Sequence, residues 1–206
     1  RGWAHVVSLG RQSLSDAEWP NKVAAGDYES IRYCIACNEC MDITVIHDKP
    51  VHCLVNPRQG VVSEVDAVPK AARRKKVLVI GGGVTGLQAA LTSAERGHDV
   101  TVFQRKTYLG GMWPEASFPD GRVELRLFIE WLVTQLRQAG VALKLNTEAT
   151  DDAITMLNPD VIIVAAGSEP IMPDIPGIDG PNVMPATKAL EGAVEIGERV
   201  VIIEIG

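Results

Sequence analysis

The chain of 206 residues is 46% hydrophobic and 22% charged, which is the composition of a globular protein. Its net charge of −6 argues against a nucleic-acid partner, and no apolar run is long enough to span a membrane. No charged n-region followed by an apolar h-region marks a secretory signal peptide. We therefore expect reduced cysteines and a cytoplasmic protein.

The first 33 residues predict a short strand followed by a connecting helix. Residues 4–9 form an apolar run that predicts a buried strand, and Gly10 and Arg11 follow it. A strand that ends in this way can aim backbone N–H groups and a guanidinium at a phosphate, although Gly-Arg is most often ordinary turn chemistry. Pro20 and Gly26 stand where a helix can start and stop.

The next segment holds all the cysteines of the chain, with the spacing C-x2-C-x2-C-x12-C at Cys34, Cys37, Cys40 and Cys53. Three thiolates three residues apart converge on one centre if the chain curls round it, and a fourth returns from further along, which predicts a four-iron cluster. A structural zinc site and disulfides remain as alternatives. His47 and His52 are interpreted as hydrogen-bonding loop residues, and the apolar run 43–46 is expected to shield the centre from water.

A linker containing the basic run 70–76 precedes a predicted dinucleotide-binding domain. Residues 77–80 predict a buried parallel strand, and a helix that ends at Gly97 leads to a second strand at 99–103. The motif G-x-G-x-x-G lies between the first strand and the helix, at Gly81, Gly83 and Gly86. This order within about 30 residues indicates a dinucleotide site, whereas the glycine motif alone is weak evidence.

The acidic residue expected after the second strand is absent, and Gln104 and Arg105 stand there. An amide oxygen can still accept one ribose hydroxyl, so adenosine binding is predicted. Arg105 also admits a phosphate on the ribose, which is the less favoured alternative. Gly110 and Gly111 follow and can let the chain pass close to a flat ligand.

The remaining sequence predicts one long helix and three strands. The helix has an apolar stripe made by Leu125, Phe128, Leu132 and Leu136. Trp131 lies off this stripe and is expected at an interface. Strands are predicted at 141–145, at 160–167 and at 200–203. The small residues 165–167 permit either approach of a cofactor or tight packing of the strand end.

Together these features resemble the flavin-dependent oxidoreductases related to trimethylamine dehydrogenase and 2,4-dienoyl-CoA reductase. The resemblance runs over nearly the whole chain, and the cysteine motif closed by residues 53–57 is its most specific part. It implies metal-ligand roles for the four cysteines named above. It implies cofactor-binding roles for Gly10, Arg11, Gly81, Gly83, Gly86, Gln104, Gly110, Gly111, Arg122 and Gly167. One departure is Ala166, which stands where the family has Thr.

The resemblance implies an α/β fold. A three-layer Rossmann-like FAD/NAD(P)-binding domain is expected after a cysteine-rich cluster segment and the last strand and helix of a TIM barrel. The expected domains are the end of an FMN-binding barrel at 1–30, the 4Fe-4S segment and linker at 31–70, an incomplete FAD (or ADP) domain at 71–198, and the first strand of an NAD(P) domain at 199–206.

The resemblance also implies a path for electrons, in which NAD(P)H reduces FAD, a 4Fe-4S cluster carries single electrons, and FMN delivers them to a small-molecule substrate. Relatives handle enoyl-CoA thioesters, enones or amines, and the full-length protein can form a homo-oligomer. We expect the chain to be an inactive piece of a longer protein, with no catalytic acid, base or nucleophile. Alternatives are a zinc-stapled nucleotide-binding module without redox activity and a small electron-transfer subunit that works with a separate barrel protein.

Overall fold

The computed structural model describes residues 5–59, 68–192 and 194–204. In chain order the elements are α1 (Arg11–Ser15), α2 (Trp19–Ala25), α3 (Glu39–Met41), a π-helical turn (Asp42–Ile46), β1 (Lys76–Ile80), α4 (Val84–Glu95), β2 (Asp99–Phe103), α5 (Trp113–Ala116), α6 (Val123–Gln138), β3 (Ala142–Lys144), α7 (Asp151–Leu157), β4 (Val161–Val164) and α8 (Ala186–Leu190).

The strands form one parallel sheet in the order β3-β2-β1-β4. Val77 of β1 pairs with Val100 on one side and with Val161 on the other, so β1 is an interior strand. This position explains its continuous apolar sequence, because β1 has a strand on each edge and buried side chains on both faces. The chain leaves β1 towards β2 on one side and returns to β4 on the other, which leaves a crevice at the carboxyl ends of these strands.

The core lies between one face of the sheet and helices α4 and α6. Alternate residues of β1 and β2 point into it, because side chains alternate across a strand. Its members include Val77, Val79, Val100, Val102, Leu87, Leu91, Phe128, Leu132 and Leu136. The apolar stripe predicted for the long helix is therefore the face that α6 buries, although Leu125 at its start is only half-buried.

The opposite face of β4 is not covered by a helix in the part of the chain that the structure describes. Ile162 is 44% exposed and Val164 is 72% exposed. Only one helical layer of the predicted three-layer arrangement therefore packs against this strand. The parallel α/β sheet itself is as predicted.

The strands predicted at 4–9 and 200–203 do not form in the described residues. Val6 is 84% exposed and Val201 is 87% exposed, and no described strand pairs with either segment. A strand needs a neighbour to satisfy its backbone groups, so an apolar sequence alone does not make one. Residue 4 and residues 205–206 lie outside the described residues.

The helix predicted between Pro20 and Gly26 is confirmed as α2. Pro20 stands in its first turn, and Gly26 ends it with a φ of 73° while its N–H donates to the carbonyls of Lys22 and Val23. Among the helices described, none combines the length and the apolar character that crossing a membrane requires.

Candidate functional site

The glycine motif lies at the carboxyl end of β1, between the ends of β2 and β4. Gly81 donates its N–H to the carbonyl of Phe103 at 2.9 Å, and Ala165 donates to that of Ile80 at 2.8 Å. A Cβ on Gly81 would lie 2.1 Å from the carbonyl oxygen of Ala165, and the φ of Gly81 is 111°. Only glycine fits this turn, because both the backbone angle and the neighbouring strand end exclude a side chain.

Gly110 and Gly111 form a second glycine turn, which packs directly on residues 82 and 83. Gly110 donates its N–H to the carbonyl of Gly82 at 2.7 Å, and a Cβ on Gly111 would lie 3.1 Å from the Cα of Gly83. The two backbones approach this closely because neither carries a side chain. The predicted dinucleotide residues Gly81, Gly83, Gly86, Gly110 and Gly111 therefore lie together, and we call this set the glycine cradle.

Gln104 is buried beside the glycine cradle, with 7% of its surface exposed. Its Oε1 accepts from the N–H of Gly82 at 3.3 Å, and its Nε2 donates to the carbonyl of Tyr108 at 2.8 Å. The amide thus joins the glycine turn to the loop after β2. In this arrangement the Gln104 side chain binds the backbone, and its predicted contact with a ribose remains a prediction.

The other predicted cofactor residues lie apart from the glycine cradle or make different contacts. Arg11 donates to Oδ1 of Asn38 in the cysteine loop, and Gly10 precedes it as the N-cap of α1. Arg122 is the exposed N-cap of α6. Gly167 follows β4 with a φ of 85° and has open space around it. Their roles in binding FMN or FAD remain predictions.

A polar cluster around the buried Glu115, which no sequence pattern predicted, supports the loop between β2 and α5. Tyr108 donates its hydroxyl to Oε1 of Glu115 at 2.7 Å, and Nζ of Lys106 donates to the same hydroxyl oxygen at 2.6 Å and to Oε1 of Glu115 at 3.3 Å. Glu115 is only 4% exposed. Burial by itself raises the pKa of Glu115, but the hydrogen bonds from Tyr108 and Lys106 lower it overall.

Removing the Tyr108 hydroxyl tests whether this cluster stabilises the loop. We expect Tyr108→Phe to lower the free energy of unfolding at pH 7 by about 2 kcal/mol, because a buried carboxylate loses a hydrogen-bond donor. Because the pKa of Glu115 is lowered in the folded state, this stabilisation is present above the unfolded pKa and is lost as pH falls through the folded pKa.

Urea unfolding at pH 7 and near pH 3 checks this prediction. The difference between the variant and the parent should shrink at the lower pH. Tyr28→Phe is the matched control, because Tyr28 is 58% exposed, and it should change stability by less than about 0.5 kcal/mol. Equal effects of the two variants would contradict the role of the cluster.

The four cysteines are free thiols in one segment, with Cys40 in the short helix α3 and the other three outside helices and strands. Ala36 and Asn38 between them have positive φ values of 53° and 60°, so the chain does curl here, as the spacing predicts. Burial raises the pKa of the Cys53 thiol, and the nearby thiols of Cys37 and Cys34 raise it further, while backbone N–H groups oppose them.

No preformed metal site exists within residues 5–59, 68–192 and 194–204. In these ranges no three His, Cys, Asp or Glu side chains are arranged to hold a metal ion. The expected shield at 43–46 is also not formed, since Val45 is 66% exposed and Ile46 69%. The donor set nevertheless fits a cluster, because it consists of four soft thiols in a curled loop, and metal binding itself draws such ligands together.

The histidines of this loop pair with carboxylates. Nε2 of His52 lies 3.2 Å from Oε1 of Glu39, and Nε2 of His47 lies 3.4 Å from Oδ2 of Asp42. These contacts agree with their interpretation as hydrogen-bonding loop residues.

The cysteine segment packs through Trp131 on the domain that carries the glycine cradle. The indole Nε1 donates to the carbonyl of Ser30 at 3.0 Å, and the guanidinium of Arg32 lies 4.3 Å from the ring centroid. Trp131 also stacks on Phe128 with 5.8 Å between centroids. Trp131 was expected off the apolar stripe, but it belongs to the core, and its contacts with Ser30 and Arg32 join two parts of this chain.

A second contact joins the same two parts. Val55, two residues after Cys53, is 1% exposed and belongs to the core between the sheet and its helices. Cys53 and Ile35 pack against that core. The cysteine loop thus begins and ends on the surface of the nucleotide domain.

Comparison with known proteins places these features in a family. Residues 75–203 match the family described as pyridine nucleotide-disulphide oxidoreductase. The chain is 39% identical to an NADH oxidase of Thermoanaerobacter brockii over 100% of its own length and 32% of that protein. It is 37% identical to a cinnamate reductase of Clostridium sporogenes over 98% of its length and 30% of that protein.

A solved structure supports the same grouping. A 2-naphthoyl-CoA reductase in complex with 2-naphthoyl-CoA superposes with a TM-score of 0.86 and 38% identity, over 91% of this chain and 29% of that one. The chain spans about a third of the length of the curated relatives it matches, with 32% and 30% for the two named above.

Proposed function

Because the chain belongs to the flavin-dependent oxidoreductase family of trimethylamine dehydrogenase and 2,4-dienoyl-CoA reductase, with a pyridine nucleotide-disulphide oxidoreductase domain, we propose that it is the electron-transfer part of a multidomain iron–sulfur flavoprotein. In this proposal electrons pass from NAD(P)H through FAD and a 4Fe-4S cluster to FMN. The observation that carries it is that the chain holds a glycine cradle and, in a segment packed against the core of the same domain, four free thiols.

The glycine cradle would hold the pyrophosphate of the dinucleotide. Gly83 is the N-cap of α4, whose first-turn N–H groups and dipole favour a phosphate there. A Cβ on Gly83 would meet only the Cα of Gly111 at 3.7 Å, so the space beside it is open to a ligand. These residues fit FAD or ADP. FAD would supply an isoalloxazine for two-electron chemistry, whereas ADP would serve only as a bound nucleotide.

Cys34, Cys37, Cys40 and Cys53 would hold the cluster, which supplies one-electron transfer when it is bound. Cys40 is 9% exposed, and Cys53 packs against the core of the nucleotide domain. This burial separates the centre from water on one side. The cysteine segment and the domain with the glycine cradle pack on each other, which supports a proposal of electron transfer between two bound cofactors.

Reduction of a conjugated enone or enoyl-type substrate is the reaction we propose for the whole protein. Two relatives at 37% and 38% identity are named for reduction of cinnamate and 2-naphthoyl-CoA, and both names denote conjugated carbonyl compounds. Amine oxidation in the reverse direction is the alternative within the same family.

The test is the content of iron and acid-labile sulfide in protein purified without oxygen, together with visible spectra before and after dithionite. We expect equal amounts of iron and sulfide and a broad absorbance that bleaches on reduction. Cys53→Ser should lose most of the iron, whereas Ser63→Ala, outside the cysteine set, should keep it. Zinc without sulfide in the parent protein would contradict the proposal and favour a zinc-stapled nucleotide-binding module.

A further inference from the structure

Arg32 is held firmly at the start of the cysteine loop. Its N–H donates to Oδ2 of Asp16 at 2.9 Å, and its carbonyl accepts from Nε2 of Gln12 and Oγ of Ser15, both at 3.1 Å. Its neighbour Ile31 is 5% exposed. The backbone at this position is therefore fixed by three hydrogen bonds.

The side chain of Arg32 has no carboxylate partner among the described residues. Its guanidinium lies over the Trp131 ring, and its Nε is buried without a hydrogen-bond acceptor. The residue is half-buried, and a buried N–H donor without an acceptor is unfavourable. The aromatic face offsets only part of this cost.

The acidic groups that could serve Arg32 are engaged elsewhere. The carboxylate of Asp16 binds Nζ of Lys22 at 2.7 Å, and that of Glu95 binds Nη2 of Arg58 at 2.7 Å. Both carboxylates already have their own cation. Among the described residues, Arg32 therefore has no carboxylate of its own.

The cysteine loop is the neighbouring source of negative charge. Cys34 follows Arg32 by two residues, and its N–H is fixed to Oε1 of Gln12 at 3.0 Å. Burial lowers the pKa of the Arg32 guanidinium, and the charges of Asp16 and then Cys53 act against that shift. A centre bound by four thiolates is anionic, and it gains one more negative charge when it takes up an electron.

We propose that Arg32 supplies the balancing positive charge of the thiolate-bound centre and makes that centre easier to reduce. This inference rests on the proposed iron–sulfur function. The step is the addition of one electron, given by a reduced flavin, and no bond forms or breaks. A fixed cation stabilises the reduced, more negative form more than the oxidised form, so it raises the reduction potential.

Arg32 is a positioning residue in this inference, because it acts on the centre through its charge and does not bind the metal. Its stacking on Trp131 fixes where that charge lies relative to the nucleotide domain. Arg58 offers a matched comparison, since it is an arginine of the same segment whose exposed side chain already pairs with Glu95.

The experiment is a dye-mediated redox titration of the intact protein, followed by electron paramagnetic resonance, with iron and sulfide assayed in each sample. At a fixed solution potential, Arg32→Gln should lower the ratio of reduced to oxidised centre about tenfold, a fall in midpoint potential of about 59 mV for one electron. Arg32→Lys should keep most of the parent value, and Arg58→Gln should leave it unchanged.

The outcomes separate this inference from the proposed function. Full iron and sulfide in Arg32→Gln with an unchanged potential would overturn the inference and leave the proposed function standing. A parent protein without iron and sulfide would overturn both. If Arg32→Gln loses the centre, Arg32→Met, which keeps an apolar stem over Trp131, and Arg32→Lys decide the matter. Loss of the centre in Arg32→Met with its retention in Arg32→Lys supports the proposed role of the positive charge. Loss of the centre in both variants overturns that role.

Discussion

Gly86→Ala should lower the free energy of unfolding by about 2 kcal/mol or more, although alanine is the better helix former. A Cβ at Gly86 would lie 2.0 Å from the carbonyl oxygen of Gly81 and 3.3 Å from Cβ of Ala165. Overpacking of this kind costs about 3 kcal/mol, and the backbone oxygen cannot rotate away as a side chain can. The helix propensity of alanine returns only about 1 kcal/mol.

Gly83→Ala should behave in the opposite way. Its Cβ would make one ordinary contact, with the Cα of Gly111 at 3.7 Å, and the φ of Gly83 is −76°, so the fold tolerates it. We expect a stability change of less than about 0.5 kcal/mol. Binding of ADP should fall at least about tenfold, because the methyl group fills the space through which the pyrophosphate approaches the backbone.

Urea unfolding and calorimetric titration with ADP measure the two effects separately. Gly197→Ala is the control, since Gly197 has no atom within 4 Å of an added Cβ and should change neither quantity. A Gly86→Ala variant as stable as the parent would show that α4 does not pack on Gly81 as described. Unchanged ADP binding by Gly83→Ala would show that the pyrophosphate lies elsewhere.

The part of the fold that sequence predicted best is the unit β1-α4-β2. Its signals are local: an apolar strand, glycines in register and an amphipathic helix all fall within β1 to β2, and the structure reproduces each of them. The family assignment is also confirmed, because the cysteine and glycine motifs are continuous in the chain and need no tertiary information to be recognised.

The failures share one physical cause, which is that the relevant partners are distant in the sequence. The strand predictions at 4–9 and 200–203 rested on composition, but a strand forms only where another strand accepts its hydrogen bonds. The contacts of the Gln104 amide with Gly82 and Tyr108 were likewise not foreseen, while its predicted contact with a ribose stays a prediction. No pattern in the sequence signals those contacts.

The candidate metal centre was predictable only as a set of ligands. The spacing correctly indicates that the chain curls between Cys34 and Cys40, since Ala36 and Asn38 have left-handed backbone angles. The convergence of all four thiols depends on the bound metal as well as on the chain. The position of the Arg32 charge could not be foreseen, because Arg32 and Trp131, which are in contact, lie 99 positions apart in the sequence.

Trp131→Ala should lower the free energy of unfolding by about 4 kcal/mol, the usual cost of removing a buried tryptophan. Trp131 is 6% exposed, stacks on Phe128, and donates to Ser30 at 3.0 Å. The variant loses the core contact and the docking contact together. Phe118→Ala is the control, because Phe118 is 61% exposed and its removal should change stability by less than about 0.5 kcal/mol.

The Trp131→Phe variant separates the packing of the ring from its hydrogen bond to Ser30. It keeps an aromatic ring on Phe128 and beneath Arg32 but loses the hydrogen bond to Ser30, so we expect a smaller loss of about 1–1.5 kcal/mol. In both variants, amide hydrogen exchange should rise most at residues 30–34, which the indole holds against α6, and least in β1. Equal increases in both regions would mean that Trp131 stabilises the whole domain and does not specifically hold the cysteine segment to it.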